Sequence, residues 1–146
     1  MGYDLKNING KEFRFNSFVW PEVLNLAMYF GWKPGGTYLP DHAIKVPDAS
    51  NDEEYIRNIQ LSWDGRYTDK KGQIVTEEDT FNLAFALMTA LKLLPDEYIE
   101  HHFQPIDSFP YRDEKLSAMY CRIGKSDKVI LKDFIHFCMG GEFNIR

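Results

Sequence analysis

The sequence predicts an α+β fold. We expect a single compact domain with a central buried helix (about 76–94), packed by two or three amphipathic helices and edged by short antiparallel strands. Three observations carry that reading. The stretch TEEDTFNLAFALMTALKLL, Thr76 to Leu94, is apolar almost all round a 3.6-residue wheel, with only Glu78, Asn82 and Thr89 as a polar stripe, so it needs cover on several sides. Short alternating runs at the N-terminus, around 66–75 and at the C-terminus are bounded by turn residues, the pattern of strands and hairpins. A length of 146 residues, 44% of them hydrophobic, fits one core and one domain spanning 1–146.

Taken in order, Tyr3–Lys6 and Glu12–Phe15 flank Asn9-Gly10, a dipeptide that favours a two-residue hairpin turn. A helix is expected from about Pro21, since proline is tolerated in the first turn. Its buried face is Val23, Leu24, Ala27, Met28 and Phe30, its wet face Glu22, Asn25 and Tyr29, and Gly31 ends it. GWKPGGT (Gly31–Thr37) suits no regular element, because Pro34 lacks an amide hydrogen and Gly35-Gly36 permits positive φ. Residues 38–50 read as irregular, broken by Pro40 and Pro47. Ser50 with Glu53 forms a capping box for a short helix carrying Tyr55, Ile56 and Ile59.

Trp63-Asp64-Gly65 reads as a turn, followed by two strands, Arg66–Thr68 and Gln73–Val75, across Asp69–Gly72. Thr76 with Asp79 then opens the central helix as a second capping box, with Glu77, Glu78 and Asp79 at the positive end of its dipole. Both Phe85 and Leu87 are expected in the core. Glu97 and His101, four apart, share a face if this segment is helical. Leu116, Met119, Tyr120 and Ile123 show helical spacing closed by Gly124. Ser126 caps a final helix whose core face is Ile130, Leu131, Phe134, Ile135, Phe137 and Cys138, with Lys128, Lys132 and His136 as its polar stripe. Gly140-Gly141 stops it before a terminal strand at Glu142–Ile145.

Composition excludes several functions. A net charge of −5 disfavours nucleic acid, whose binding relies on cationic side chains displacing counterions from phosphates. No segment reaches the roughly 20 apolar residues of a membrane span. The opening MGYDLKNING lacks a basic start followed by an apolar run, so no secretory signal is expected. Cys121 and Cys138 are too few for a disulfide framework and read as reduced core thiols. These features place the protein in the cytoplasm. The glycine pair of GWKPGGT could cradle phosphate, but neither a G-x-x-x-x-G-K-[ST] loop nor a G-x-G-x-x-G turn is present. DKKG is not a calcium loop, since with Gly72 at its sixth position the first ligand would be Tyr67 and the fifth Lys71. Asp96, Glu97, Glu100, His101 and His102 form the one cluster with metal-ligand chemistry, yet H-E-x-x-H is absent and companions at ligand spacing do not follow. No metal and no cofactor are expected.

The pieces MGYDL, GWKPGGT, GQIVTEEDTFNLAFAL and FCMGGEFNI resemble those of a family of small uncharacterised bacterial proteins. Related sequences often carry alanine where this one has Thr80, and a tighter GGF ending where this one has Glu142. The resemblance implies a shared fold and supplies no catalytic residue, activity or cofactor.

Three functional readings follow. The favoured one is a non-catalytic protein-binding module, regulator-like or neutralising a partner as small acidic immunity proteins neutralise toxins. It rests on a small acidic domain, 15% aromatic residues and no assembled nucleophile, base and orienter. The partner is then another protein, of basic character because an acidic surface speeds its capture. The candidate binding residues are Trp32, Lys33, Gly36 and Thr37 in one loop and Trp63, Asp64, Arg66 and Tyr67 in the other, where a scaffold can hold recognition groups. The alternative is a small-ligand-binding protein or enzyme with a pocket near Gly31–Thr37 and Ser62–Tyr67, to which Asp41 and His42 could add polar groups. The third is a self-associating structural protein, which an exposed apolar patch would favour. The balance leans against an enzyme, and the oligomeric state leaves no sequence signal.

Overall fold

The computed structural model describes residues 2–47, 52–94, 99–102, 120–123 and 125–146, with backbone alone at 99–102, 120–123 and 125–127. The domain is α+β. Strands β1 (Gly2–Asn7), β2 (Glu12–Asn16), β3 (Gln73–Val75) and β6 (Phe143–Ile145) form one antiparallel sheet in the order β2-β1-β6-β3. A second sheet pairs β4 (Ile99–His102) with β5 (Tyr120–Ile123). The helices are α1 (Val19–Tyr29), α2 (Asp52–Ser62), α3 (Glu77–Leu93) and α4 (Lys125–Cys138), with a 3-10 turn at Asp41–Ala43. Among the described residues no helix is long and apolar enough to cross a membrane.

The N-terminal hairpin forms at Asn9-Gly10, with a turn longer than two residues because pairing stops at Lys6–Glu12 and the Asn7 amide bonds to the Lys11 carbonyl. Gly10 takes φ 83°, and Asn7 Oδ1 accepts from the Asn9 and Lys11 amides at 3.0 Å each. Alternation then works at period two: Tyr3, Leu5 and Asn7 turn inward while Asp4 stays out. β6 enters between β1 and β3, pairing Phe143 with both Asn7 and Val75. An aromatic cluster fills the core behind the sheet. Phe15 stacks on Trp20 at 5.4 Å, and Phe134 of α4 meets both edge-on at 5.0 and 5.7 Å.

Helix α1 starts two residues before Pro21, because Asn16 Oδ1 accepts the Phe18 and Val19 amides at 3.0 and 2.8 Å. Gly31, at φ 104°, follows its end as predicted. Asn25, expected on the wet face, is 3% exposed. Eight of the eleven α1 residues are buried, so α1 is more deeply sunk than α3, whose far face stays in water. On that face Phe85 is 63% exposed and Met88 is also exposed, while Leu83, Leu87 and Ala90 pack inward. Helix α3 still lies against both α1 and α4. An apolar wheel indicates where cover is wanted; one helical face here receives none from the described residues.

Several expectations need correction. Arg66–Thr68 is not a strand. Its carbonyls are taken by side chains: Thr37 Oγ1 donates to Arg66 O at 2.6 Å, Trp20 Nε1 to Tyr67 O at 2.8 Å, and Tyr3 OH to Thr68 O at 2.8 Å. The free edge of β3 is instead met at one point by Tyr38, which exchanges backbone hydrogen bonds with Ile74 at 2.8 and 3.1 Å. Ile99–His102 and Tyr120–Ile123 are strands, with Ile99 opposite Ile123, so His101 does not lie on a helix and Tyr120 and Ile123 do not continue one. Glu97, Leu116, Met119, Gly124 and the Ser50 cap lie outside the described residues. Helix α4 begins at Lys125, which puts Ser126 inside it. On α4, Ile130 is exposed, whereas Lys128 is 8% exposed and donates its ammonium to the Leu94 carbonyl just past α3. An orphan carbonyl at a helix C-terminus is a favourable place for a cation.

Candidate functional site

The two loops named from sequence meet, and a buried carboxylate joins them. Thr76, extended at φ −63° and ψ 159°, caps α3 by accepting the Asp79 amide at 3.2 Å. A capping box would send the Asp79 carboxylate back to Thr76. Here it turns inward, at 4% exposure, and gathers donors from both loops. Its Oδ1 accepts from Trp32 Nε1 at 2.9 Å and from the Gly35 amide at 3.1 Å, and its Oδ2 accepts from Tyr67 OH at 2.5 Å. The Tyr67 hydroxyl in turn accepts from the Gly36 amide at 2.8 Å. Gly36 sits at φ 93°, a conformation that favours glycine and aims that amide at Tyr67. The Trp32 and Tyr67 rings meet edge to face, 5.1 Å between centroids.

A second layer closes the seam. Thr37 donates its amide to Gly65 O at 3.2 Å, and Trp63 Nε1 reaches Thr37 O and Oγ1 at 3.1 Å each. Of the eight candidate binding residues, Trp32, Thr37 and Tyr67 are buried, and Gly36, Trp63 and Asp64 are half-buried. Lys33 and Arg66 are exposed, and Arg66 pairs through Nε with Asp64 at 2.6 Å and lies 3.9 Å from Asp69. Asp41 and His42 sit on the 3-10 turn, where Asp41 accepts from Gln60 Nε2 at 2.7 Å.

Burial pushes the Asp79 carboxyl above its usual range. The bonds from Tyr67, Gly35 and Trp32 oppose that shift without reversing it, and the neighbouring Glu78 charge adds to it. A carboxyl with a raised pKa beside a tyrosine hydroxyl has the parts of an acid–base pair. Both groups are closed off from solvent, and a general acid or base must reach its substrate. The arrangement fixes the loops in place. Burial also raises the Cys138 thiol, which leaves it a poor nucleophile. Among the described residues no three His, Cys, Asp or Glu side chains gather as metal ligands; those of His101 and His102 lie outside that description.

Two concavities border the seam. A shallow groove of about 330 Å³ is lined by Phe30, Lys33, Asn82, Phe85 and Thr89 among others. A larger cleft of about 520 Å³ runs between the 3-10 turn, α2 and the Lys70–Lys71 turn, with Trp63 in its wall. The sequence reading missed Asp79 as the organiser, having assigned it the local role that its spacing from Thr76 suggests. It also missed the cleft, whose one sequence signal is the Tyr55, Ile56, Ile59 face of α2: no residue of that helix is buried. Compared with protein families, curated proteins and solved structures, the chain matches none.

Proposed function

We propose that this protein is a non-catalytic binding module that takes another protein on the surface formed by the joined loops and the adjoining face of α3. The observation that carries the reading is the hydrogen-bonded seam, which holds the Gly31–Thr37 and Ser62–Tyr67 loops in one fixed arrangement near the exposed Phe85 of α3. A pre-ordered loop surface loses little entropy on binding. The exposed Phe85 of α3 shares a groove with the exposed Lys33, and a large aromatic beside a cation is a favoured interface anchor. The acidic balance of the chain suits a basic partner by steering, and a cytoplasmic regulator or immunity-like role fits these features. The resemblance to small bacterial proteins belongs to the same proposal and adds no partner to it.

A photo-crosslinking side chain at position 33 or 85, used in the source organism, identifies the partner. Purified partner is then titrated against Lys33→Ala, Arg66→Ala and Phe85→Ala. Lys33→Ala and Phe85→Ala are expected to weaken binding about tenfold or more, as interface anchors do, with melting temperatures close to wild type. Arg66→Ala is expected to do less, since its charge is already paired with Asp64. A partner that binds all three variants like wild type places the interface elsewhere.

A further inference from the structure

The cleft carries a second inference that does not depend on a protein partner. Its walls are apolar: Leu39 and Ile44 flank the 3-10 turn, Tyr55 and Ile59 come from α2, and Trp63 follows that helix. Among the described residues its charged lining consists of Lys45, Lys70 and Lys71, with no carboxylate. Three lysines lining one cleft with apolar walls stand out in a chain of net charge −5. Nor is the cleft a collapsed surface fold. Trp63 is held by its two bonds to Thr37, so one wall is rigid. Lys70 is steadied by the Tyr3 ring, with its ammonium 4.9 Å from the centroid. Tyr55 and Ile59 remain only half-buried, so the apolar side of α2 keeps uncovered area facing this space. The volume falls in the range of about 300–1,000 Å³ usual for small-molecule sites, which combine apolar walls with a few polar groups that orient the ligand.

We propose that this cleft binds a small amphipathic organic anion. Its ring or short-chain body lies against Trp63, Tyr55 and Ile59, and a single anionic head sits among Lys45, Lys70 and Lys71. A neutral apolar ligand would leave the lysines unused. A bare inorganic anion would leave the apolar walls in water and gain only contacts that water screens. The two halves of the lining therefore select one molecule carrying both features.

The test uses 8-anilinonaphthalene-1-sulfonate as the anionic probe and N-phenyl-1-naphthylamine as its uncharged counterpart, each titrated into the full chain at low salt. Wild type is expected to bind the sulfonate saturably, one per chain. The double variant Lys45→Gln/Lys71→Gln is expected to weaken it about tenfold, as loss of charge-assisted contacts predicts, while leaving the neutral probe within about twofold. The charge-keeping Lys45→Arg/Lys71→Arg variant should restore sulfonate binding, which separates loss of charge from loss of folding. Ile59→Trp, which fills the cleft, should weaken both probes. Phenyl phosphate and phenylacetate as competitors tell a phosphate head from a carboxylate, and displacement by either supports the site. Equal sulfonate affinity in wild type and the glutamine variant, no saturable binding, or displacement by neither competitor overturns it.

Discussion

The seam around Asp79 and the cleft beside α2 share Trp63 and otherwise contrast. At the seam, Trp32, Thr37 and Tyr67 each hold hydrogen-bond partners and are buried. In the cleft, Tyr55, Ile59 and Ile44 are half-buried, and among the described residues three lysines and no carboxylate share the lining. Both regions looked alike as sequence: aromatic residues and cations among turns. What separates them is whether the chain supplies the partner. Asp79 arrives from α3 and satisfies three donors at once; among the described residues nothing comparable enters the cleft. Aromatic residues in a loop thus mark a binding surface only after the chain's own acceptors have been counted.

The largest expected effect breaks this contrast at its centre. Asp79→Ala removes the acceptor of three donors, and unmade buried hydrogen bonds cost about 1–3 kcal/mol each, so a loss of roughly 3–5 kcal/mol is expected, with some relaxation of the loops. Ile59→Ala in the cleft should cost less than about 1 kcal/mol, because little buried surface is lost. Chemical denaturation of the two variants measures both values. Similar losses would mean that the seam is no more essential to the fold than the cleft wall.

A pH series sharpens the same point. Folded Asp79 keeps its proton to higher pH than the unfolded chain, whose usual value is 3.8. Between 3.8 and the raised folded value the native state binds more protons, so stability falls as pH rises through that window. The contribution of the group is full below 3.8 and is lost as pH climbs through the folded value. Asp79→Asn cannot titrate. The stability of wild type relative to Asp79→Asn should therefore decline as pH rises from 3.8 through the raised folded value. A constant difference, or one that grows with pH, would place the folded pKa at or below the usual value.

The smallest effect concerns the residue beside Asp79. Thr80 is fully buried, and its Oγ1 has no hydrogen-bond partner among the described residues. A buried hydroxyl left unpaired is unfavourable, and alanine is the better helix former. Thr80→Ala is expected to leave stability unchanged or raise it by up to about 1 kcal/mol. A clear drop in melting temperature would show that the hydroxyl is satisfied, by ordered water for example.

How much was legible follows from the range of the interactions. Asn9-Gly10 specified the hairpin locally, and helical spacing disclosed α1, α3 and α4 to within a few residues. Arg66–Thr68 was misread because Tyr3, Trp20 and Thr37, all distant in sequence, take its carbonyls. Ile99–His102 and Tyr120–Ile123 are four residues each, too short for periodicity to tell strand from helix, and their pairing spans a long stretch of chain. The two loops were legible as loops; that they meet, and the Asp79 acceptor that joins them, were not. Lys128 taught the same lesson, since helical spacing put it among exposed cations while the Leu94 carbonyl lay out of sight in the sequence.

The position of β6 has a consequence for the order of events during synthesis. The hairpin of β1 and β2 can pair as soon as both strands are made, but among the described residues β3 has no strand to pair with until Phe143–Ile145 arrive between it and β1. Asp4 and Arg146 then exchange backbone hydrogen bonds at 3.0 and 2.8 Å, joining two segments far apart in sequence. Contacts of such long sequence separation slow folding, because the loop must close before they contribute. Until then β1 presents an unpaired edge and the aromatic cluster lacks Phe143, so the growing chain is open to wrong pairing until β6 is inserted.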